Sequence, residues 1–343
     1  MRFPLQGATI GRDPRKRPEI PAEKEQDVKE KTAILCCGEA LIDMLPATTA
    51  DGRAAFLPAC GGSVFNTAVA LGHLGSRVLF FGGLSDDMFG RMLRKRLSRA
   101  GVDSALAPTS ARPTTLAFVK LTEGEAGYAF FDENTAGRML APGDLPPVLP
   151  ESVQTLFFGG ISLALEPCAE SLETLLLREA GHRLIMLDPN IRPAVIADAA
   201  RYRARLERLM RQCDILKLSD DDLAWWSGRG DPAEQARAML DMGPRAVFLT
   251  QGARGARLFT RHGTLFRPAP KMRVVDTVGA GDAFNAGVLH GLGRAGALGK
   301  SALARDPESV LCPALEPGIA VAATTVTRAG AEPPRAEEIT CAH

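Results

Sequence analysis

Four short apolar runs, at residues 155–158, 184–187, 214–218 and 246–250, begin about 30 residues apart. Helical segments at 169–179, 201–211 and 232–242 lie between them. A strand reaches a parallel partner only through a crossover, and strand, helix and next strand together need roughly 30 residues. The spacing therefore restricts the chain to an α/β fold, with a mostly parallel central sheet flanked by helices. Sheets of this kind bind ligands beyond the C-terminal ends of their strands. Polar residues gather at those ends: Asp188-Pro189-Asn190-Ile191-Arg192, Lys217 with Asp220, Asp221 and Asp222, and Thr250-Gln251-Gly252-Ala253-Arg254-Gly255.

The first half of the chain is less regular. Residues 34–37 read as a buried strand ending at Gly38, which places Asp43 just beyond a strand end. Residues 46–60 read as a turn-rich connection with a short strand. After Gly61-Gly62 the pattern turns helical, with Phe65, Ala68 and Leu74 facing inward and Asn66 in the first turn. A strand at 77–83 and an amphipathic helix at 88–100 follow. Residues 114–120 and 128–131 read as a hairpin, in which Tyr128 and Phe130 share a face. Residues 295–317 suggest a Pro-bearing loop or short helix, and 318–329 a final helix or strand of small residues. Residues 1–31, rich in Pro, Lys, Arg and Glu without apolar period, are expected to form a disordered tail. The domain is expected at 32–334, with a short C-terminal tail at 335–343.

Composition excludes several classes. A net charge of +1 gives no argument for nucleic acid or a membrane surface as partner. No apolar run approaches the roughly 18–20 residues of a membrane span. The seven cysteines form neither a C-x-x-C pair nor a zinc-type spacing, as expected of reduced thiols in a cytoplasmic protein. Gly291-Leu292-Gly293-Arg294-Ala295-Gly296 satisfies the dinucleotide fingerprint but ends a helix instead of opening one. Gly299-Lys300-Ser301 lacks the first glycine of a P-loop, because that position is Arg294.

The segment Val275-Asp276-Thr277-Val278-Gly279-Ala280-Gly281-Asp282 reads as an apolar strand end, a turn of small residues and a helix start. A helix N-terminus carries unpaired N–H groups and partial positive charge, and side chains as small as these let an anion reach them. Asp282 adds a carboxylate at the same place, as phosphoryl transfer to a hydroxyl requires. Taken alone, the segment reads more simply as a glycine-bearing loop with an aspartate favouring a helix N-terminus.

The spacing D-T-x-G-A-G-D resembles the C-terminal signature of the PfkB, or ribokinase-like, carbohydrate kinases, and G-G-x-x-x-N-x-A at 61–68 resembles the N-terminal half of the same pattern. The resemblance covers about residues 32–334. It implies a ribokinase-like fold with a small β-sheet lid, drawn from about 46–60 and 112–134. Asp282 is then the catalytic base, and the amides of Gly279, Ala280 and Gly281 form the anion hole. Asp43, Gly62 and Asn66 hold sugar hydroxyls, Tyr128 and Phe130 lie over the sugar, and Arg192 approaches sugar or phosphate. Asn190, Lys217, Thr250, Gly252 and Gly255 serve ATP. Family members commonly hold Mg²⁺ through N-x-x-E; here Ser219 and Asp222 occupy that register, so Asp220 and Asp222 are the candidate ligands. Asp276, Val278, Arg328 and Gly330 correspond to a loop holding a monovalent cation, K⁺.

Gly38–Pro46, Gly61–Ala68, the 188–192 segment and Lys217-Leu218-Ser219-Asp220-Asp221-Asp222-Leu223 look most like bacterial fructokinases. The expected activity is ATP-dependent phosphorylation of fructose. Ribokinase, 2-keto-3-deoxygluconate kinase and nucleoside kinase remain open within the family, and a sugar- or nucleotide-binding sensor outside it. The expected partners are sugar and ATP, with a homodimer left open.

Overall fold

The computed structural model describes residues 32–122, 125–305 and 307–339. Its strands are, in chain order, β1 Ala33–Cys37, β2 Leu41–Thr48, β3 Ala54–Gly61, β4 Val78–Phe81, β5 Leu84–Ser85, β6 Val102–Asp103 and β7 Thr109–Ser110. They continue as β8 Leu116–Thr122, β9 Glu125–Phe131, β10 Val153–Gly159, β11 Leu184–Asp188, β12 Ile215–Ser219, β13 Ala246–Thr250, β14 Ala256–Thr260 and β15 Thr264–Arg267. The helices are α1 Ser63–His73, α2 Met88–Arg99, α3 Cys168–Glu179, α4 Ala199–Met210, α5 Asp220–Ser227, α6 Pro232–Met239, α7 Ala280–Arg294, α8 Lys300–Arg305 and α9 Pro307–Thr325.

The main sheet has the order β15-β14-β13-β12-β11-β10-β1-β4-β6. From β13 to β6 every pairing is parallel, and β14 and β15 close one edge antiparallel. Alternation along the central strands divides the core in two. Ile34, Cys36, Phe157, Met186 and Phe248 face a layer formed by α1, α2, α7 and α9. Leu35, Cys37, Phe158, Leu187 and Leu249 face α3, α4, α5 and α6 on the other side. In the register of the parallel strands Gly159 lies beside Asp188, and Ser219 beside Thr250. The polar strand ends therefore form one rim.

A second sheet, of order β3-β2-β8-β9, makes the lid. It corrects two expectations. Asp43 lies inside β2, not beyond a strand end, and much of 46–60 is strand. Pro46 and Pro58 sit in β2 and β3 of a hairpin. Two more corrections fall at the C-terminus. The valines before Asp276 are not a strand end, since residues 270–279 carry no regular strand. Residues 307–325 form one helix through Pro313 and Pro317. A proline inside a helix removes a hydrogen bond and crowds the preceding turn. Here packing wins: the Pro317 carbonyl fits against Gly287, where an added Cβ would lie 2.3 Å away. The expected tail at 1–31 and the last residues, 340–343, lie outside the described residues.

Candidate active site

Gly279 caps α7 with φ 77°, and an added Cβ would come within 2.6 Å of Ala331. Both facts require glycine there. The Ala280 amide donates to the Thr277 carbonyl at 3.3 Å. Among the described residues the amides of Gly279, Gly281 and Asp282 have no acceptor, so the start of this fifteen-residue helix offers free donors and the positive end of its dipole.

Asp282 is 7% exposed. Its Oδ1 accepts from Ser63 Oγ at 2.7 Å and its Oδ2 from Asn66 Nδ2 at 3.0 Å. Burial pushes its carboxyl up to about 6, against the two hydrogen bonds and Lys217, and with help from Asp188. Thr67 Oγ1 donates to the Asp282 carbonyl at 3.3 Å, fastening α1 to α7. Gly62 caps α1 with φ 106°, against the Glu39 carbonyl.

Asp43 enters from the lid. Its carboxylate has no hydrogen-bond donor among the described residues, and Gly61 leaves it space that a Cβ would fill. Burial, then the Asp282 charge, push its carboxyl up to about 6. Asp43 pairs with Ala117, and Ala117 with Phe130, so Asp43 and Phe130 share one lid face. Phe130 is half-buried against Leu41, Ala117 and Ile161. The Tyr128 side chain lies outside the described residues; its backbone pairs with Val119 in the same sheet.

Beneath α7, Lys217 Nζ donates to Asp188 Oδ2 at 3.0 Å, and Asn285 Nδ2 donates to the same oxygen at 2.7 Å. Burial works against the Lys217 charge, but Asp188 and Asp222 outweigh it and hold its ammonium above the usual range. A Cβ on Gly281 would lie 3.1 Å from Lys217 Nζ, so the ammonium sits directly under the helix start. Lys217, expected to serve the nucleotide, lies in the wall below the start of α7.

Asn190, with φ 44°, donates through Nδ2 to Ser63 Oγ and so joins the Asp282 cluster. Arg192 stays exposed and donates to the carbonyls of Asn190 and Ile191. Thr250, Gly252 and Gly255 form a turn at the neighbouring strand end. An added Cβ at Gly255 would meet the Arg267 carbonyl at 2.1 Å, so β15 demands glycine there.

The residues expected to hold magnesium are otherwise engaged. Asp222 Oδ1 accepts from the Ile191 amide at 2.7 Å, and Oδ2 from the Ser219 amide and hydroxyl at 2.8 and 2.6 Å. Asp220 accepts from Gln251 and pairs with Arg254. Among the described residues no group of three or more His, Cys, Asp or Glu is placed to hold a metal. Asp222 ties the 188–192 loop to the start of α5.

Of the residues expected around a monovalent cation, Asp276, Val278 and Gly330 lie together: Asp276 accepts from the Val278 amide at 3.0 Å and the Gly330 amide at 2.9 Å. Arg328 pairs with Glu338. Sequence reading gave no role to Ser63, Glu39, Asp188 or Asn285. Asn285 stands three residues after Asp282 on one helix face, and that spacing was the available signal for it.

Residues 31–338 match the model of the pfkB family carbohydrate kinases. The chain is 48% identical over 278 residues to the fructokinase of Rhizobium leguminosarum bv. trifolii, covering 81% of this chain and 85% of that protein. The crystal structure of the Xylella fastidiosa fructokinase with bound ATP superposes with a TM-score of 0.78 at 29% identity, covering 88% of this chain and 94% of that one. Aminoimidazole riboside kinase from Salmonella enterica, complexed with aminoimidazole riboside and an ATP analog, gives a TM-score of 0.74 at 28% identity, over 87% and 94% of the two chains. No helix among the described residues is long and apolar enough to cross a membrane.

Proposed function

The chain belongs to the pfkB family of carbohydrate kinases, and from that premise we propose that it is an ATP-dependent fructokinase that makes fructose 6-phosphate. The observation that carries the sugar reading is the pairing of a hydrogen-bonded base, Asp282, with an unpartnered carboxylate, Asp43, that faces it from the lid. A polyol supplies hydroxyl donors for Asp43, and one further hydroxyl for Asp282 to deprotonate. Fold likeness does not choose the acceptor, because a riboside kinase superposes about as well as a fructokinase. The 48% identity to a bacterial fructokinase favours fructose.

Asp282 accepts the proton of the primary hydroxyl as that oxygen attacks the γ-phosphorus of ATP and the bond to ADP breaks. A base with a pKa of about 6 is ionised at neutral pH yet still basic enough to work. The free amides of Gly279, Gly281 and Asp282 stabilise charge on the transferring group, with the Lys217 ammonium below them. Asn66 and Gly62 border the sugar. Phe130 and the lid exclude water, which otherwise competes as acceptor. The nucleotide lies along Thr250, Gly252 and Gly255, and Mg²⁺ arrives with its phosphates. The setting is cytoplasmic, in keeping with the free thiols Cys36, Cys37, Cys168 and Cys213. K⁺ at the Asp276–Gly330 loop belongs to the same proposal.

A coupled ADP-release assay over fructose, ribose, 2-keto-3-deoxygluconate and nucleosides tests the reading. Fructose is expected to give the highest kcat/KM. A higher value for another acceptor replaces fructose with that acceptor, and binding without turnover of any replaces the kinase with a sensor.

A further inference from the structure

Asp282 and Ser63 are 219 residues apart in sequence and 2.7 Å apart in space. We propose that Ser63 is a positioning residue for the base: its hydroxyl, turned by Asn190 and anchored through Glu39, fixes the Asp282 carboxylate and keeps it ionised. This rests on the kinase reading above and adds to it a residue that holds the base without touching the sugar.

The direction of each hydrogen bond follows from the chemistry of the groups. Asn190 Nδ2 only donates, and it donates to Ser63 Oγ at 2.7 Å. The hydroxyl proton is then free for its other neighbour, Asp282 Oδ1. The opposite amide orientation would claim that proton for Asn190 and leave two oxygens facing each other without a hydrogen between them. A hydroxyl that donates to a carboxylate favours its ionised form.

Ser63 and Asn190 are themselves held. The Asn190 amide donates to Asp188 Oδ1 at 3.1 Å. Ser63 is the first residue of α1, and its amide donates to Glu39 Oε1 at 3.0 Å. Glu39 Oε2 accepts from Ser162 Oγ at 2.8 Å. Glu39 fits only because Gly160, at φ 72°, has no side chain: a Cβ there would lie 2.0 Å from its carboxylate. The segment after β11 thus holds the Ser63 hydroxyl, and that after β1, braced by the segment after β10, holds the Ser63 backbone amide.

The charged surroundings explain why such a donor matters. Asp43 on β2, Glu39 before it and Asp188 on β11 bring negative charge towards the site, and Lys217 on β12 opposes them. Burial and these carboxylates favour the protonated base, which accepts no proton. The Ser63 and Asn66 donors oppose them.

Ser63→Ala removes the hydroxyl without adding volume. The expected result is a kcat lower by roughly tenfold to a hundredfold, the scale of a lost hydrogen bond to a charged group. The KM for ATP stays within about twofold, and the acid limb of the kcat–pH profile moves to higher pH by about half a unit or more. Ser63→Thr, which keeps the hydroxyl, is expected to restore most of kcat and the original limb. Ser63→Cys fills the space with a weak donor and is expected to follow the alanine variant, which keeps the test open should the alanine variant fold poorly. A wild-type protein without kinase activity overturns the kinase reading. An active wild type whose Ala and Cys variants keep kcat within about twofold, or lose it with an unmoved acid limb, overturns the positioning role alone.

Discussion

Replacing Asp282 with Asn separates the base from the helix it begins. The two side chains have nearly the same shape, so Ser63 can still donate to the remaining oxygen. On the other side the new amide would face Asn66 Nδ2, two donors together, which turning the Asn66 amide relieves. The turn and α7 are therefore expected to survive. What is lost is the proton acceptor, and general-base catalysis contributes typically about 10²–10⁴-fold, or roughly 3–5 kcal/mol of barrier. Stability is expected to move the other way. The folded-state pKa of about 6 stands above the ordinary 3.8, so the folded protein binds this proton more tightly than the unfolded chain does. The cost of burying the charge is absent below about pH 4, grows as pH rises towards 6, and is full above it. Two pKa units correspond to on the order of 2–3 kcal/mol. The variant should therefore exceed wild type in urea unfolding at pH 8 by up to that amount, with the gap shrinking by pH 5. Coupled ADP release gives kcat, and calorimetry gives the ATP and sugar affinities, which should be spared. A variant with more than about a tenth of wild-type kcat removes Asp282 from the base role, and a stability gap that widens as pH falls refutes the burial argument.

Lys217→Met leaves the fully buried Asp188 without its ion-pair partner. Breaking a buried pair costs roughly 3–5 kcal/mol; urea unfolding showing a loss below about 1 kcal/mol would mean the pair is not needed. Turnover in K⁺ is expected to exceed turnover in tetramethylammonium at equal ionic strength, because Asp276 holds Val278 and Gly330 in one loop. Equal rates would remove the cation from that loop.

Much of this architecture is local and therefore legible in the chain. The apolar run at 246–250 is β13 residue for residue, and the start of α7 is legible because a turn of small residues before an apolar stripe marks a helix N-terminus whatever surrounds it. Expectations went astray where packing overrides local preference. Asp43 lies within a lid strand because β2 pairs on both sides at that residue, and α9 runs through Pro313 and Pro317 because Gly287 receives the Pro317 carbonyl. The strand that carries Lys217 is legible in the sequence, but not the partners of its charge. Asp222 has the chemistry of a metal ligand on paper, and only the fold shows its oxygens filled by Ile191 and Ser219. Ser63 looks like a small residue after two glycines, and only the meeting of α1 with α7 turns it into a donor to Asp282. A sequence specifies which groups can donate, accept or carry charge; the direction in which each one is used depends on which neighbours the tertiary structure brings within about 3 Å.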